Sequence, residues 1–308
     1  MTVSSPLFSR LTMGAAALWL GGCSNGTPPE PTPGSATAAA TASAAPSAAP
    51  SAAPSASSSA AKPEPSVKPY EGPTGVVKGV VTIKGDEAPV TPFDFPDNCA
   101  AAAGMYGKLF RVGQDGQLAD AIVAVTHYKG FVPPKQRAVE ITIKDCQYSQ
   151  RSIALTDDQY LEIRNLDSGT SYIPHLDGAR LPSTNVAIPQ GPSLRMDTRG
   201  RGSYWLRDQM TRPFMMAHVF HFPYSTTAVT GLDGRFSIEG VPVGKAKING
   251  MLPQTKTLLS VSKDIEVKEG DNVVDLELTF DAKRDTPDDG HGGTKPKVPA
   301  QPPIATPD

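Results

Sequence analysis

The 308-residue chain is poor in several residue types that whole function classes depend on. Three cysteines are too few for a disulfide-dense scaffold or a four-cysteine zinc site. Neither charge sign is in excess: 29 Lys+Arg face 31 Asp+Glu, for a net charge of −2. That balance argues against nucleic-acid binding, which calls for a basic face. Charged residues make up 19% and aromatics 6%. The chain has no Gly-x-Ser-x-Gly elbow, no phosphate-cradling glycine loop and no His-Glu-x-x-His pattern, so it reads as a non-enzyme. The adjacent carboxylates Asp157-Asp158 and Asp288-Asp289 make no acid/base couple, because neighbours on a strand point to opposite sides. What is plentiful is proline (31) and glycine (28), a profile that suits a β-rich domain with disordered flanks.

The first 23 residues have the form of an export signal. Arg10 supplies a positive start and Leu11 to Leu20 an uncharged apolar run, too short for the roughly 20 residues that span a bilayer. The run ends Leu20-Gly21-Gly22-Cys23. This resembles the bacterial lipobox, which implies that Cys23 is acylated and becomes the mature N-terminus. Each methylene buried in a bilayer contributes about 0.8 kcal/mol, so several acyl chains anchor a soluble domain. Ser24 in place of Asp favours, by the same resemblance, outer-membrane delivery, and the expected location is the cell envelope. The rival reading is an ordinary signal peptide with an incidental cysteine. Residues 24–75 hold eleven prolines, three copies of Ser-Ala-Ala-Pro (43–54) and one aromatic, Tyr70, and read as a disordered tether. Residues 282–308, with six prolines, read as a disordered tail.

Residues 76–281 hold 17 of the 20 aromatics and should fold. Period-2 alternation marks strands at Val139/Ile141/Ile143, Leu161/Ile163 and Val274/Leu276/Leu278/Phe280. Asp233-Gly234, between Val229 and Phe236, signals a hairpin, and Asp115-Gly116 a second tight turn. Residues 100–104 suit one short helix. The fold class is all-β, a sandwich. Cys99 and Cys146, in an oxidising compartment, should pair; closing so long a loop is worth roughly 4 kcal/mol. The alternative is one cysteine acting as nucleophile or metal ligand, although no nearby His supports a thiolate.

Two family patterns are visible in this domain. Residues 75–81 with Gly85 and Pro89, and then 228–244 with Asp233-Gly234 and Val241-Pro242-Val243-Gly244, resemble a carboxypeptidase-regulatory-like (transthyretin-like) sandwich, a non-catalytic module. Residues 139–224, with Cys146-Gln147-Tyr148, the run 161–167 and Arg212-Pro213-Phe214-Met215, resemble a cupredoxin. The regulatory-like part is therefore expected over 76–138 and 225–281. The whole resembles bacterial secreted cupredoxin-like proteins, often described as methylamine-utilisation-like. In the copper-binding relatives a His, a Cys, a second His and a Met, in that chain order, ligate the metal. The resemblance carries those positions to Ser171, Gln209, Arg212 and Met215, so only the thioether is kept. A guanidinium stays protonated and cannot ligate. No cofactor is expected.

Two alternative sites follow. One is a non-standard copper site from His175, Met215, His218 and His221, although His218 and His221, three apart on a strand, face opposite ways. The other is an anionic glycan or lipid-headgroup surface from Tyr204, Trp205, Arg207 and Arg212, in a stretch that also carries Arg195, Arg199 and Arg201. The expected partner is a membrane, reached through the anchor, with a protein or glycan partner left open.

Overall fold

The computed structural model describes residues 68–178 and 185–288. Cys23, the signal segment, most of the tether and residues 289–308 lie outside them. The described residues form sixteen strands and two short helices, an all-β fold as the alternation implies.

The strands make four four-stranded sheets around two separate cores. The first sandwich uses β1 (Thr74–Gly85) and β2 (Ile122–Thr126) from the start of the domain. It is completed from the other end by β11 (Thr227–Val229), β12 (Arg235–Pro242), β13 (Gly244–Met251), β14 (Ser260–Val267), β15 (Gly270–Val273) and β16 (Leu276–Phe280). The second sandwich is inserted between these pieces. It holds β3 (Ala138–Lys144), β4 (Gln147–Tyr148), β5 (Ser152–Thr156), β6 (Tyr160–Asn165), β7 (Pro174–Asp177), β8 (Leu194–Met196), β9 (Gly202–Asp208) and β10 (Met216–Phe222). Its two sheets run β4-β3-β6-β8 and β5-β10-β9-β7, with β3 parallel to β6 and β5 parallel to β10. The alternating apolar residues predicted from sequence fill these cores: Ile141, Ile143, Leu161 and Ile163 in the inserted sandwich, Leu276, Leu278 and Phe280 in the first.

β1 pairs in parallel with β15 over its first half and with β16 over its second. Between them Val274 and Asp275 bulge out, and the ladder is patched from both sides. The Val274 N–H donates to the Lys78 carbonyl (2.8 Å), and the Asp275 carboxylate accepts the Val80 N–H (2.8 Å). Gly79 is needed here, because a Cβ would lie 2.1 Å from the Val274 carbonyl oxygen.

The Asp233-Gly234 signal makes a turn but not the expected hairpin. β11 pairs with β2 and β12 with β1, so the chain crosses from one sheet of the first sandwich to the other at this point. The turn is fixed by tertiary contact, the Val81 N–H donating to the Gly234 carbonyl (2.8 Å), and β11 is too short to hold β12 beside it. Asp115-Gly116 does form a tight turn, with φ of 54° and 75° between the bridged residues Val112 and Leu118. The expected helix forms slightly later, as α1 (Ala102–Tyr106). Order also extends past the expected limits of the domain. The Tyr70 N–H donates to the Phe131 carbonyl (2.7 Å), and α2 (Ala282–Asp285), capped by Asp281, buries Asp285 completely. Composition signalled proline content there but not the Thr257 hydroxyl that donates to Asp285.

Arg151, at the start of β5, joins the two sandwiches. The segment from Met105 to Leu109 leaves one core and enters the other. The buried Arg151 guanidinium donates to the carbonyls of Met105 (3.0 Å), Lys108 (3.1 Å) and Leu109 (3.1 Å) along it. Burial lowers the guanidinium's pKa, and the neighbouring Asp120 opposes that effect. Replacing Arg151 with Met leaves three carbonyls, two of them buried, without their donor. We expect a loss of about 3–5 kcal/mol in denaturant unfolding. Lys, a single compact ammonium, should recover less than half of it.

Candidate functional site

The loops at one end of the inserted sandwich bring together the positions to which the resemblance assigned metal ligands. Asn165, at the end of β6, ties two loops to the sheet: its amide donates to the carbonyls of Thr170 and Ala187 (both 2.8 Å), and its carbonyl accepts the Asp167 N–H (3.0 Å). Asp167 accepts the Asp145 N–H (3.0 Å) and the Tyr172 hydroxyl. Tyr172 in turn accepts the Cys146 N–H (3.1 Å). Burial first, and then Asp167 holding the phenolic proton, push the Tyr172 hydroxyl well above its usual range.

These bonds hold the two-residue turn between β3 and β4, where Asp145 (φ 50°) and Cys146 (φ 59°) adopt left-handed backbone without glycine. Cys146 is joined there to Cys99 by the expected disulfide, with Cα atoms 5.4 Å apart. Bonded to each other, neither cysteine offers a thiolate.

Arg212 sits at the centre of the loop between β9 and β10. It is buried, pairs with the Asp208 carboxylate (3.1 Å) and lies 4.7 Å from the centre of the Tyr172 ring. Asp208 also accepts the Ile173 N–H (2.7 Å). The position to which the resemblance assigned an imidazole thus holds a guanidinium already matched to a carboxylate and an aromatic face. Gln209, to which it assigned the thiolate, is exposed. Met215 is wholly buried in the apolar core, its neighbour Phe214 packing on Phe95 and Tyr106.

The alternative copper set is not brought together. Ala217 and Val219 of β10 face the core, as do Met215 and, on β7, Leu176. His175 adjoins Leu176 and therefore points the other way, where its Nε2 lies 3.3 Å from Asp177. His218 also lies on that outer side, its ring centre 4.3 Å from that of Trp205. His221 lies at the far end of β10, between Thr198 and Asp157. No group of three or more His, Cys, Asp or Glu side chains among the described residues is arranged to hold a metal.

The proposed recognition surface needs a correction as well. Trp205 is 1% exposed, Tyr204 8% and Arg212 9%, and only Arg207 reaches solvent. Tyr204 turns into the core, and its hydroxyl is tied to Gly200. Trp205 lies between Arg207 (4.8 Å) and His218, its indole N–H buried. Sequence proximity suggested a patch; strand alternation splits it across two faces. Of the arginines nearby, Arg195 pairs with Asp197 and Arg201 with Asp157. The Asp208 and Tyr172 partners of Arg212 carried no sequence signal of their own, whereas Asn165 and Asp167 lie in the run 161–167 that carries the resemblance.

No family profile matches the chain, and no curated protein matches it. Among solved structures it is similar to amicyanin from Paracoccus versutus, at 16% identity over 32% of this chain and 97% of that one, with a TM-score of 0.23. It is also similar to the Cu-containing nitrite reductase from Thermus scotoductus SA-01, at 11% identity over 46% of this chain, with a TM-score of 0.24. The match spans 28% of that enzyme's chain. Likenesses at this level carry no argument about activity.

His218 supplies a test of the outer face. Burial, then the positive charges of Arg151 and Arg207, push its imidazole down to about 3. In the unfolded chain it titrates near 6.5. The folded form therefore keeps the full benefit of a neutral His218 above pH 6.5 and loses it as pH falls from 6.5 towards 3. We expect about 2 kcal/mol less stability at pH 5 than at pH 7 from this group, measured by urea unfolding. That increment should be absent in His218→Phe.

Proposed function

We propose that this chain is a non-enzymatic, lipid-anchored protein of the bacterial envelope, delivered to the outer membrane. In this reading it displays a cupredoxin-like sandwich without the blue-copper ligands, inserted in a regulatory-like one, for a binding or structural role. The observation that carries the reading is the buried Arg212–Asp208 pair on Tyr172. A blue-copper centre needs a thiolate and two imidazoles converging on one point. Here that region holds an exposed Gln209, a permanently charged Arg212 and a thioether, Met215, facing the core. The anchor rests on Leu20-Gly21-Gly22-Cys23 and the proline-rich segment that follows. Among the described residues no helix is long and apolar enough to cross a membrane.

Two measurements test the two halves of the proposal. Titration of the purified protein with Cu(I) and Cu(II) should show no tight stoichiometric uptake and no intense blue absorption. Uptake that disappears in Met215→Leu or His175→Ala would replace this reading with a copper protein. Metabolic labelling with palmitate should mark the native chain and not Cys23→Ala; equal labelling of the two, or of neither, would remove the anchor.

A further inference from the structure

At the end of β10 opposite the Arg212 loop, two other elements converge on His221. Asp157 comes from the turn between β5 and β6, and Thr198 from the segment between β8 and β9. The His221 Nε2 lies 3.0 Å from Asp157 Oδ1, and its Nδ1 lies 2.6 Å from Thr198 Oγ1. An ionised carboxylate only accepts hydrogen bonds, so Nε2 carries the ring hydrogen. Nδ1 is then the lone-pair nitrogen, and the Thr198 hydroxyl donates to it. Asp157 is held in place by the Arg201 guanidinium (Nε to Oδ2 3.1 Å). Burial alone would raise the Asp157 carboxyl, but the bonds from Arg201 and His221 outweigh it and keep it below the usual range.

The result is a hydroxyl, a base and an orienting carboxylate in one hydrogen-bonded line, the arrangement that activates a hydroxyl nucleophile. Relative to the familiar triad the two ring nitrogens have exchanged roles, which leaves the proton path intact. The imidazole is buried, whereas Thr198 reaches the surface. The adjoining loop is fixed: the Tyr204 hydroxyl donates to the Gly200 carbonyl (2.7 Å) and accepts its N–H (3.1 Å). Space beside it is open, since a Cβ on Gly200 would meet nothing within 4 Å.

We propose that Thr198 is a base-assisted acyl acceptor, reactive toward activated esters, a chemistry that goes beyond the binding or structural role above. Thr198 Oγ1 attacks the ester carbonyl while its proton passes to His221 Nδ1. The new bond is Thr198 Oγ1 to the acyl carbon, and the bond that breaks joins that carbon to the leaving oxygen. The leaving alkoxide or phenolate takes the proton from Nδ1, so no external reagent is required. Asp157 and Arg201 are positioning residues.

The test treats the mature protein with p-nitrophenyl acetate, follows phenolate release and maps the acetylated residue by peptide mass spectrometry. Acetyl should appear at Thr198 at least about 100-fold faster than at other exposed threonines. Thr198→Ala should lose that adduct and Thr198→Ser should keep it. His221→Gln should slow the reaction by about 100-fold or more. Circular dichroism melts of each variant separate lost reactivity from lost folding. If His221→Gln does not fold, Thr198→Ser against Thr198→Ala, with the site mapping, decides alone. Background-level acetylation of Thr198, or an unchanged rate in folded His221→Gln, overturns the proposal. Neither result bears on copper uptake or on Cys23.

Discussion

A buried cation with no carboxylate of its own holds this molecule together. Three backbone carbonyls receive the Arg151 guanidinium, all from the stretch where the chain passes from one core to the other. Burying a charge is costly unless its donors are matched, and here the match is made by dipoles that the fold must present together. Around it the seam is polar. Asp120 binds Arg111 through both carboxylate oxygens (2.8 Å each), its own carbonyl accepts the Ser152 hydroxyl (2.6 Å), and Gln254 reaches the same hydroxyl (3.0 Å). Two apolar cores without such a seam could slide against each other. Directional bonds to named carbonyls fix one arrangement and leave the loops at each end of the inserted sandwich in defined places.

At one of those ends, the loops are ordered by side chains that bond their backbone. Asn165 and Asp167 order the loops whether or not anything is ligated there, because they bond backbone groups of the loops themselves. Arg212 and Asp208 then satisfy each other inside the space those loops define. A loop that must receive a metal keeps a cluster of lone pairs pointing inward at some cost in stability. Here the inward groups are paired with each other, and Met215 packs as an ordinary core residue.

Strand content was legible because alternation is imposed by water on one side and core on the other. Ile141/Ile143 and Leu276/Leu278 declare themselves in that way. The disulfide was legible because only two cysteines remain once Cys23 is set aside. What could not be read was whatever depends on a partner distant in sequence. Asp233-Gly234 has hairpin chemistry, yet its flanks belong to different sheets because each finds a better partner in β1 or β2. The turn at Asp145-Cys146 lacks the usual glycine, and its backbone is held by Asp167 and Tyr172, more than twenty residues further on. Trp205 and Arg207 looked like a recognition pair; the structure instead uses the arginine to cover the indole. Asp157 stood out only as half of an adjacent carboxylate pair and Thr198 not at all; the structure brings both to His221 where β10 ends between them.

The placement of one sandwich inside the other has a consequence for biogenesis. Lys78 and its partner Asp271 are 193 residues apart in the chain, and every ladder that β1 joins is made with β12, β15 or β16. A chain emerging N-terminus first presents β1 and β2 long before those strands exist, while β3 to β10 already contain a full set of mutual partners. Such distant pairing is slow. Until synthesis is nearly finished, those two N-terminal strands lack most of their partners, so the first sandwich can close only after the inserted one.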